Sequence, residues 1–356
     1  MTSPKTITSR AAAFITFLLI AAFIALMVAQ PASAYTWGTC GFDNKSWDST
    51  SVTFKPVAAS FPYGSAWRSS IESARQAWNE SPSSDFQVSY SYSSATSVAS
   101  GDGSNGMIIT NGYSWGPHTL GVAVTRYGVC FGPFGGKIVE SDVLINPAFT
   151  WNTSTNPSLD ELSDTHYNST MVVLHELGHA FGFDHENDVM TTMNSYYPGG
   201  GPIGKLDQVT PHSDDAAGIR ALYGSSGTER DVYASTFRRI GTGRSDEIPA
   251  PPTWQRGHSM DFNFTVGNRG NSSEIVRISF YLSTSRNVTT SDEFLGTTMI
   301  SLNKGVTPTL NVELNLPSGI PDGDYYFGWI IDPDNKVSEV EEANNSVTLV
   351  EPTTVQ

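Results

Sequence analysis

The alternation of apolar and polar residues predicts that strands and helices are mixed in the first part of this 356-residue chain. Strand-like runs of apolar residues occur at residues 51–57, 86–92, 107–110, 119–127 and 138–151. Apolar residues at helical spacing predict an amphipathic helix over 66–79. A second helix is predicted over 168–183, where residues 171–174 would pack into a core. A third helix should begin near Ser213, a plausible N-cap followed by two aspartates.

The last third of the chain has a different pattern. Strand-like runs separated by turn residues occur at 259–267, 276–283, 307–316, 325–332 and 346–351. Short runs at this spacing predict an antiparallel β-sandwich. The Ser- and Gly-rich residues 225–228 are a linker candidate. We therefore expect a domain over 35–224, a linker over 225–228 and a sandwich over 229–352.

The first 34 residues have the pattern of a secretory signal peptide. Lys5 and Arg10 precede an uncharged apolar run over 11–29, and residues 32–34 form an A-x-A cleavage site. Cleavage there would give a secreted, extracellular protein that begins at Tyr35. The apolar run is long for a signal, so an uncleaved membrane anchor is the alternative. The chain would contact a membrane only if this segment were retained.

The net charge of the chain is −15 at pH 7. Such an acidic protein repels phosphate backbones, which argues against a nucleic-acid partner. Carboxylates are also the ligands that Ca²⁺ prefers, so calcium is a candidate structural ion.

The residues with the clearest chemistry lie at 175–185, in the pattern H-E-x-x-H-x-x-G-x-x-H. On a helix, His175 and His179 lie one turn apart on the same face, so both can reach one metal ion. Gly182 can take a positive φ and end the helix, which would bring His185 to the same ion. Three neutral imidazoles leave one position of a tetrahedral zinc open for water. Glu176 cannot face the zinc with His175, and it is placed to take a proton from that water.

These eleven residues resemble the zinc signature of the metzincin metallopeptidases, and the flanking sequence is similar to the matrixin branch. The resemblance implies a methionine turn below the zinc, for which the spacing favours Met193 over the competing Met190. It also places Tyr197 in the wall of the S1′ pocket, which receives the substrate side chain after the scissile bond. The ending of the third predicted helix, D-D-x-x-G-I-x-x-L-Y-G, repeats a matrixin pattern.

The matrixin resemblance implies an α+β catalytic domain, a twisted sheet with an active-site helix. Its run over 119–127 would be the edge strand above the cleft, where an extended peptide can dock by β-augmentation. An ordinary inner strand is the alternative. In matrixins the strand that follows carries calcium ligands. Glu140 and Asp142 could fill that role here, although a solvated strand face explains them equally well.

The last third resembles the CARDB-type immunoglobulin-like domain through about 120 residues. The similarity lies in V-G-N-R-G-N at 266–271, F-Y-L-S at 280–283, P-D-G-D-Y at 321–325 and the acidic run 339–345. It implies an all-β accessory module of a secreted microbial protein, a candidate to bind a surface or polymer ligand. No catalytic constellation is recognisable in it.

The two cysteines of the chain, Cys40 and Cys130, are predicted to form a disulfide in an oxidising compartment. The alternative comes from matrixins, which are held latent by a propeptide cysteine that ligates the zinc. Cys40-Gly41 is faintly similar to that switch, but its arginine and proline are missing.

Taken together, the sequence predicts a secreted zinc endopeptidase that acts on protein or peptide substrates and carries a C-terminal β-sandwich. The alternative is a non-catalytic surface or adhesion protein that uses the zinc domain as a scaffold. The presence of Glu176 and Gly182 argues against this alternative. Cleavage of casein with and without a chelator would separate the two.

Overall fold

The computed structural model describes residues 35–40, 43–128, 136–155, 166–197, 209–239 and 245–356. The predicted signal peptide, residues 1–34, and Cys130 lie outside these ranges, so the cleavage site and the disulfide stay predictions. No helix in the described ranges is long and apolar enough to cross a membrane.

The N-terminal part combines a five-stranded sheet with helices. Its helices are α1 (Ala66–Asn79), α2 (Ser169–Ala180) and α3 (Ser213–Tyr223). Its strands are β1 (Thr39–Cys40), β2 (Asp43–Asn44), β3 (Ser51–Pro56), β4 (Gln87–Tyr90), β5 (Gly106–Ile109), β6 (Gly121–Tyr127), β7 (Ile138–Ile145), β8 (Thr150–Asn152) and β9 (His166–Asn168). The main sheet has the order β4-β3-β5-β7-β6, in which β6 is antiparallel to β7 and the other pairings are parallel.

The core of this part lies between the sheet and the first two helices. Residues of β3 alternate between solvent and core, which places Val52 and Phe54 inside. Helix α1 buries Ile71, Ala74 and Trp78 against them, and the Trp78 indole donates a hydrogen bond to the Leu174 carbonyl of α2 at 2.9 Å. Burying a side chain of the size of Ile71 stabilises the fold by about 1.5–3 kcal/mol. Helix α2, the predicted zinc helix, therefore packs on the apolar face of α1 that the sequence predicts.

Strand β6 lies at the edge of the main sheet. It pairs with β7 on one side, and within the described ranges no strand covers its other side. Among the residues that the structure describes, the run over 119–127 therefore forms an edge strand and not an inner one. An edge strand leaves N–H and C=O groups available to an extended peptide.

The two acidic residues of β7 are buried, so the interpretation as a solvated strand face is wrong. Glu140 accepts hydrogen bonds from the backbone N–H groups of Gly101 and Gly103. Asp142 accepts one from the N–H of Gly106 at 2.7 Å, and its burial raises its pKa to about 6. The two carboxyl groups thus hold the loop that precedes β5. A structural calcium stays a prediction.

Helix α3 begins at Ser213, and its N-cap is His212 rather than Ser213. The Asp215 carboxylate accepts a hydrogen bond from the His212 backbone N–H at 3.0 Å, which satisfies a donor at the helix start. Ser213 is instead the first residue inside the helix, where its hydroxyl contacts Tyr233 of the C-terminal part.

The C-terminal part is an all-β sandwich. Its strands are β10 (Val232–Ser235), β11 (Phe237–Arg239), β12 (Ser245–Glu247), β13 (Thr253–Trp254), β14 (Ser259–Asn268), β15 (Glu274–Ser283), β16 (Glu293–Leu302), β17 (Thr309–Asn315), β18 (Gly323–Ile331), β19 (Ser346–Thr348) and β20 (Thr353–Val355), with a 3₁₀ turn at Glu342–Asn344. One sheet has the order β10-β14-β17, and the other has the order β13-β20-β18-β15-β16 with β19 on β18. Aromatic residues such as Phe264, Phe280 and Trp329 fill the space between them.

Candidate active site

Helix α2 carries the first two candidate metal ligands. Its N-cap Asn168 accepts the N–H of Met171 at 3.0 Å, and its buried face fixes the helix in the core. His175 and His179 both project their Nε2 atoms away from that core. The Nδ1 atom of His175 lies 2.8 Å from the Thr192 carbonyl, and that of His179 lies 2.8 Å from the Phe183 carbonyl. Each carbonyl requires a proton on Nδ1, so each Nε2 keeps its lone pair for a metal.

A glycine turn brings the third ligand to the same point. Gly182 has a φ of +108°, and a Cβ there would collide with the Lys45 carbonyl. The chain therefore ends α2 as the sequence predicts and returns through His185. The Nε2 of His185 lies 3.2 Å from that of His175 and 3.1 Å from that of His179.

The spacing of these three nitrogens fits zinc. Tetrahedral zinc with Zn–N bonds of about 2.0–2.1 Å separates its nitrogen ligands by about 3.3 Å. Burial lowers the pKa of all three histidines, to about 4 for His179, so the imidazoles are neutral at neutral pH. Three lone pairs that converge without a proton between them are best satisfied by a cation. Among the described residues, the three histidines are the one group of histidine, cysteine or acidic side chains placed closely enough to hold a metal ion.

Glu176 lies beside the histidines without belonging to the ligand group. Its side chain is buried against β6, where the Ala123 backbone N–H interacts with the carboxyl group. Burial raises the pKa of Glu176 to about 8. A dication at the three histidines would oppose this shift and favour the carboxylate. Burial and a bound dication would thus act on this carboxyl group in opposite directions.

The two methionines that compete for the turn occupy different places. Met193 lies directly beneath α2, and its sulfur contacts Gly178, so that a Cβ at this glycine would collide with it. Met190 packs in another cluster, with Met171, Val209 and Phe237. The position below the zinc helix is thus occupied by Met193, the residue that the spacing favours.

Tyr197 is half-buried behind the start of α2. Its hydroxyl accepts the N–H of Asn168 at 2.9 Å and lies 3.5 Å from the sulfur of Met171. Its ring packs edge-on against Tyr167 with centroids 5.1 Å apart. These contacts fix the ring in one orientation, and its place in the wall of a substrate pocket stays a prediction.

Comparison with known proteins agrees with this geometry. The sequence model of the matrixin peptidases matches residues 46–224, which is half of the chain. The chain belongs to the matrixin family. A second model, that of the CARDB domain, matches residues 246–349. Membership of the matrixin family, together with the three histidines, supports a metallopeptidase.

Individual relatives cover smaller parts of this matrixin. Macrophage metalloelastase of Oryctolagus cuniculus is 41% identical over 115 residues, which are 31% of this chain and 21% of that protein. Matrix metalloproteinase-19 of Mus musculus is 40% identical over 70 residues, which are 19% and 12% of the two chains. The matched part is thus about a fifth or less of each relative. A CARDB domain from Pyrococcus furiosus, solved in complex with di-metal ions, covers 37% of this chain and 97% of its own at 17% identity and a TM-score of 0.26.

Several residues that hold the matrixin site were not recognised from the sequence. Asp215 of α3 accepts hydrogen bonds from the Thr191 hydroxyl and the Thr192 N–H, so it fixes the turn that leads to Met193. Glu186, next to His185, accepts a hydrogen bond from the Thr36 hydroxyl at 2.6 Å. Asp215 was visible as an acidic residue in the first turn of a helix. Its partners lie more than 20 positions away and left no local signal.

Proposed function

We propose that this matrixin is a secreted zinc endopeptidase that hydrolyses internal peptide bonds of protein or peptide substrates. The observation that carries the proposal is the convergence of His175, His179 and His185 beside a buried carboxyl group that is not a ligand. A scaffold would need the histidines but would have no use for a carboxyl group held at that point.

The chain's own groups have distinct tasks in this proposal. The three histidines would hold zinc, which supplies polarisation of the scissile carbonyl and a water of lowered pKa. Glu176 takes a proton from the attacking water and delivers it to the leaving amine. The open edge of β6 holds the substrate extended, since its backbone groups can pair with a peptide. Tyr197 bounds the pocket for the side chain on the leaving side.

We also propose that the protein is exported and that its C-terminal domain binds a ligand. Cleavage after Ala34 releases the protein outside the cell, where Cys40 and Cys130 can pair. The CARDB domain is an accessory module that binds a surface or polymer ligand and keeps the peptidase near its substrate. The acidity of the chain keeps it away from nucleic acids.

The test is cleavage of casein and of a quenched peptide by the purified mature protein, with and without a chelator. We expect about one zinc per chain, cleavage that stops on chelation, and recovery when zinc is returned. His179→Ala should lose both metal and cleavage. Activity in a metal-free preparation would overturn the mechanism. Zinc binding without cleavage of any peptide would favour the scaffold alternative.

A further inference from the structure

A small apolar cluster joins the peptidase to the C-terminal part. It contains Met171 of α2, Met190 of the loop after His185, Val209, and Phe237 of β11. Phe237 is fully buried, and Tyr197 packs against the cluster. Met171, which lies behind the predicted pocket wall, thus packs in a cluster with Phe237. Phe237 lies outside the residues that the matrixin model matches.

Phe237 is fixed by the sandwich. It follows β10, which pairs antiparallel with β14, with Ser235 opposite Thr265. The hydroxyl of Ser235 accepts the Phe237 N–H at 3.1 Å, and the Thr236 carbonyl accepts the N–H of Ile248 at 2.8 Å. The backbone around Phe237 is therefore bonded within the C-terminal part.

Polar contacts fix the sandwich against the peptidase. The buried Arg220 of α3 donates to the carbonyls of Arg269 and Gly270 at 2.8 and 3.0 Å, while it also donates to Pro82. The hydroxyl of Tyr233 lies 2.8 Å from that of Thr307 and 3.3 Å from that of Ser213. A guanidinium that bridges several buried carbonyls leaves little freedom to move, because breaking the contacts would leave polar groups unpaired. The sandwich that carries Phe237 is thus fixed against the peptidase.

We infer that Phe237 is a positioning residue for substrate selection: the sandwich, through this side chain and Met171 behind it, supports Tyr197, the proposed wall of the pocket. The inference rests on the proposed function. Truncation of Phe237 leaves a cavity into which Met171, Met190 and Tyr197 can move, since close-packed side chains partly fill such space. A displaced wall loses contact with a long substrate side chain, whereas a short side chain never reaches it.

The test compares two peptides that differ only in the residue after the scissile bond, leucine or alanine. In Phe237→Ala we expect kcat/KM to fall at least about tenfold for the leucine peptide, and less than about threefold for the alanine peptide. Hydrogen exchange at residues 191–197 should become faster in the same variant, a readout that needs no activity. Phe237→Leu, which leaves a smaller cavity, should shift both properties in the same direction by a smaller amount.

Phe280→Ala is the matched control, since Phe280 is also fully buried but lies in the sandwich core on β15. It should leave the leucine-to-alanine ratio and the exchange at 191–197 unchanged. An equal shift in this control, or an unchanged ratio in Phe237→Ala, would overturn the inference. If Phe237→Ala does not fold, Phe237→Leu decides by the same ratio, where a smaller shift in the same direction is expected and no shift overturns it. A wild type that cleaves neither peptide would refute the proposed function, while the exchange rates would still test the packing.

Discussion

Gly121 of the edge strand lies directly against Glu176 of the zinc helix. A Cβ on Gly121 would stand 2.8 Å from Cγ and 2.9 Å from Oε1 of Glu176. Both distances are shorter than real Cβ contacts, so any larger residue would displace the carboxyl group or the strand. The same strand approaches Glu176 through the N–H of Ala123. The strand that we propose binds substrate therefore also fixes the carboxyl group that we propose as the general base.

The first prediction concerns Gly121→Ala. The added methyl group should push the Glu176 carboxyl group away from the position that zinc leaves open for water. The three histidines are not among the atoms nearest to this methyl group. Because a misplacement of about 1 Å can cost about a hundredfold in rate, kcat should fall at least about tenfold with bound zinc unchanged. Metal content and peptide kinetics provide the measurement. Gly319→Ala is the control, since a Cβ at Gly319 meets nothing within 4 Å. Full activity in Gly121→Ala would show that this glycine does not position the base.

The elements that the sequence predicts well are those whose pattern is local. Helix α1 has the predicted bounds, residues 66–79, because its apolar spacing lies within the helix and its N-cap Ser65 directly precedes it. Strand β16 was missed because its exposed and half-buried residues do not alternate regularly. Its pairing with β15 also shifts register between Phe280 and Tyr281, which breaks the period of two.

The residues of the candidate site also differ in how well the sequence predicts them. The histidines and Glu176 lie within eleven residues, so spacing alone brings them together. Gly121 acts through Glu176, which lies 55 positions away, and Phe237 acts through residues that lie from 28 to 66 positions away. Neither has a distinctive neighbour in the sequence. Their roles depend on how β6 and the sandwich pack onto α2, which tertiary structure decides.

The second prediction separates catalysis from metal binding at Glu176. Glu176→Gln keeps the size of the side chain and removes the base, and the Nε2 atoms of the histidines are left untouched. Zinc should therefore stay bound, and kcat should fall at least about a hundredfold while KM changes little. The measurement is metal content together with steady-state kinetics. Loss of zinc would mean that Glu176 helps to hold the metal, and unchanged turnover would mean that the proton goes elsewhere.

The third prediction concerns Cys40 and Cys130. If they form a disulfide, thiol titration of the denatured, unreduced mature protein should detect no free sulfhydryl group. After reduction, the same titration should detect two, which serves as the control for accessibility. Two free thiols before reduction, together with activation when the N-terminus is trimmed, would favour the cysteine switch instead.

The last prediction is a pH dependence of stability that arises at His212, which is buried where the start of α3 contacts the sandwich. Its Nδ1 lies 3.2 Å from the Tyr233 hydroxyl, and its backbone N–H donates to Asp215. Burial, with a smaller effect from the Arg269 guanidinium, lowers the pKa of His212 to about 3. The unfolded chain, with a histidine pKa of about 6.5, therefore binds more protons than the folded chain between these values. The stabilising contribution of neutral His212 to the free energy of unfolding is fully present above pH 6.5 and is lost as the pH falls towards 3.

His212→Asn should remove this dependence, because an amide can face the Tyr233 hydroxyl but does not titrate. Between pH 7 and pH 5, the free energy of unfolding of the wild type should fall by about 2 kcal/mol more than that of the variant. Denaturant unfolding of both proteins at equal zinc occupancy provides the measurement. The buried carboxyl groups of Asp231 and Glu339 have raised pKa values, so their contribution has the opposite sign and is lost as the pH rises. They are present in both proteins, as are the zinc ligands, so their effects cancel in the difference. Parallel pH profiles would therefore mean that His212 accepts a proton in the folded protein, and that the contact between α3 and the sandwich is open to water.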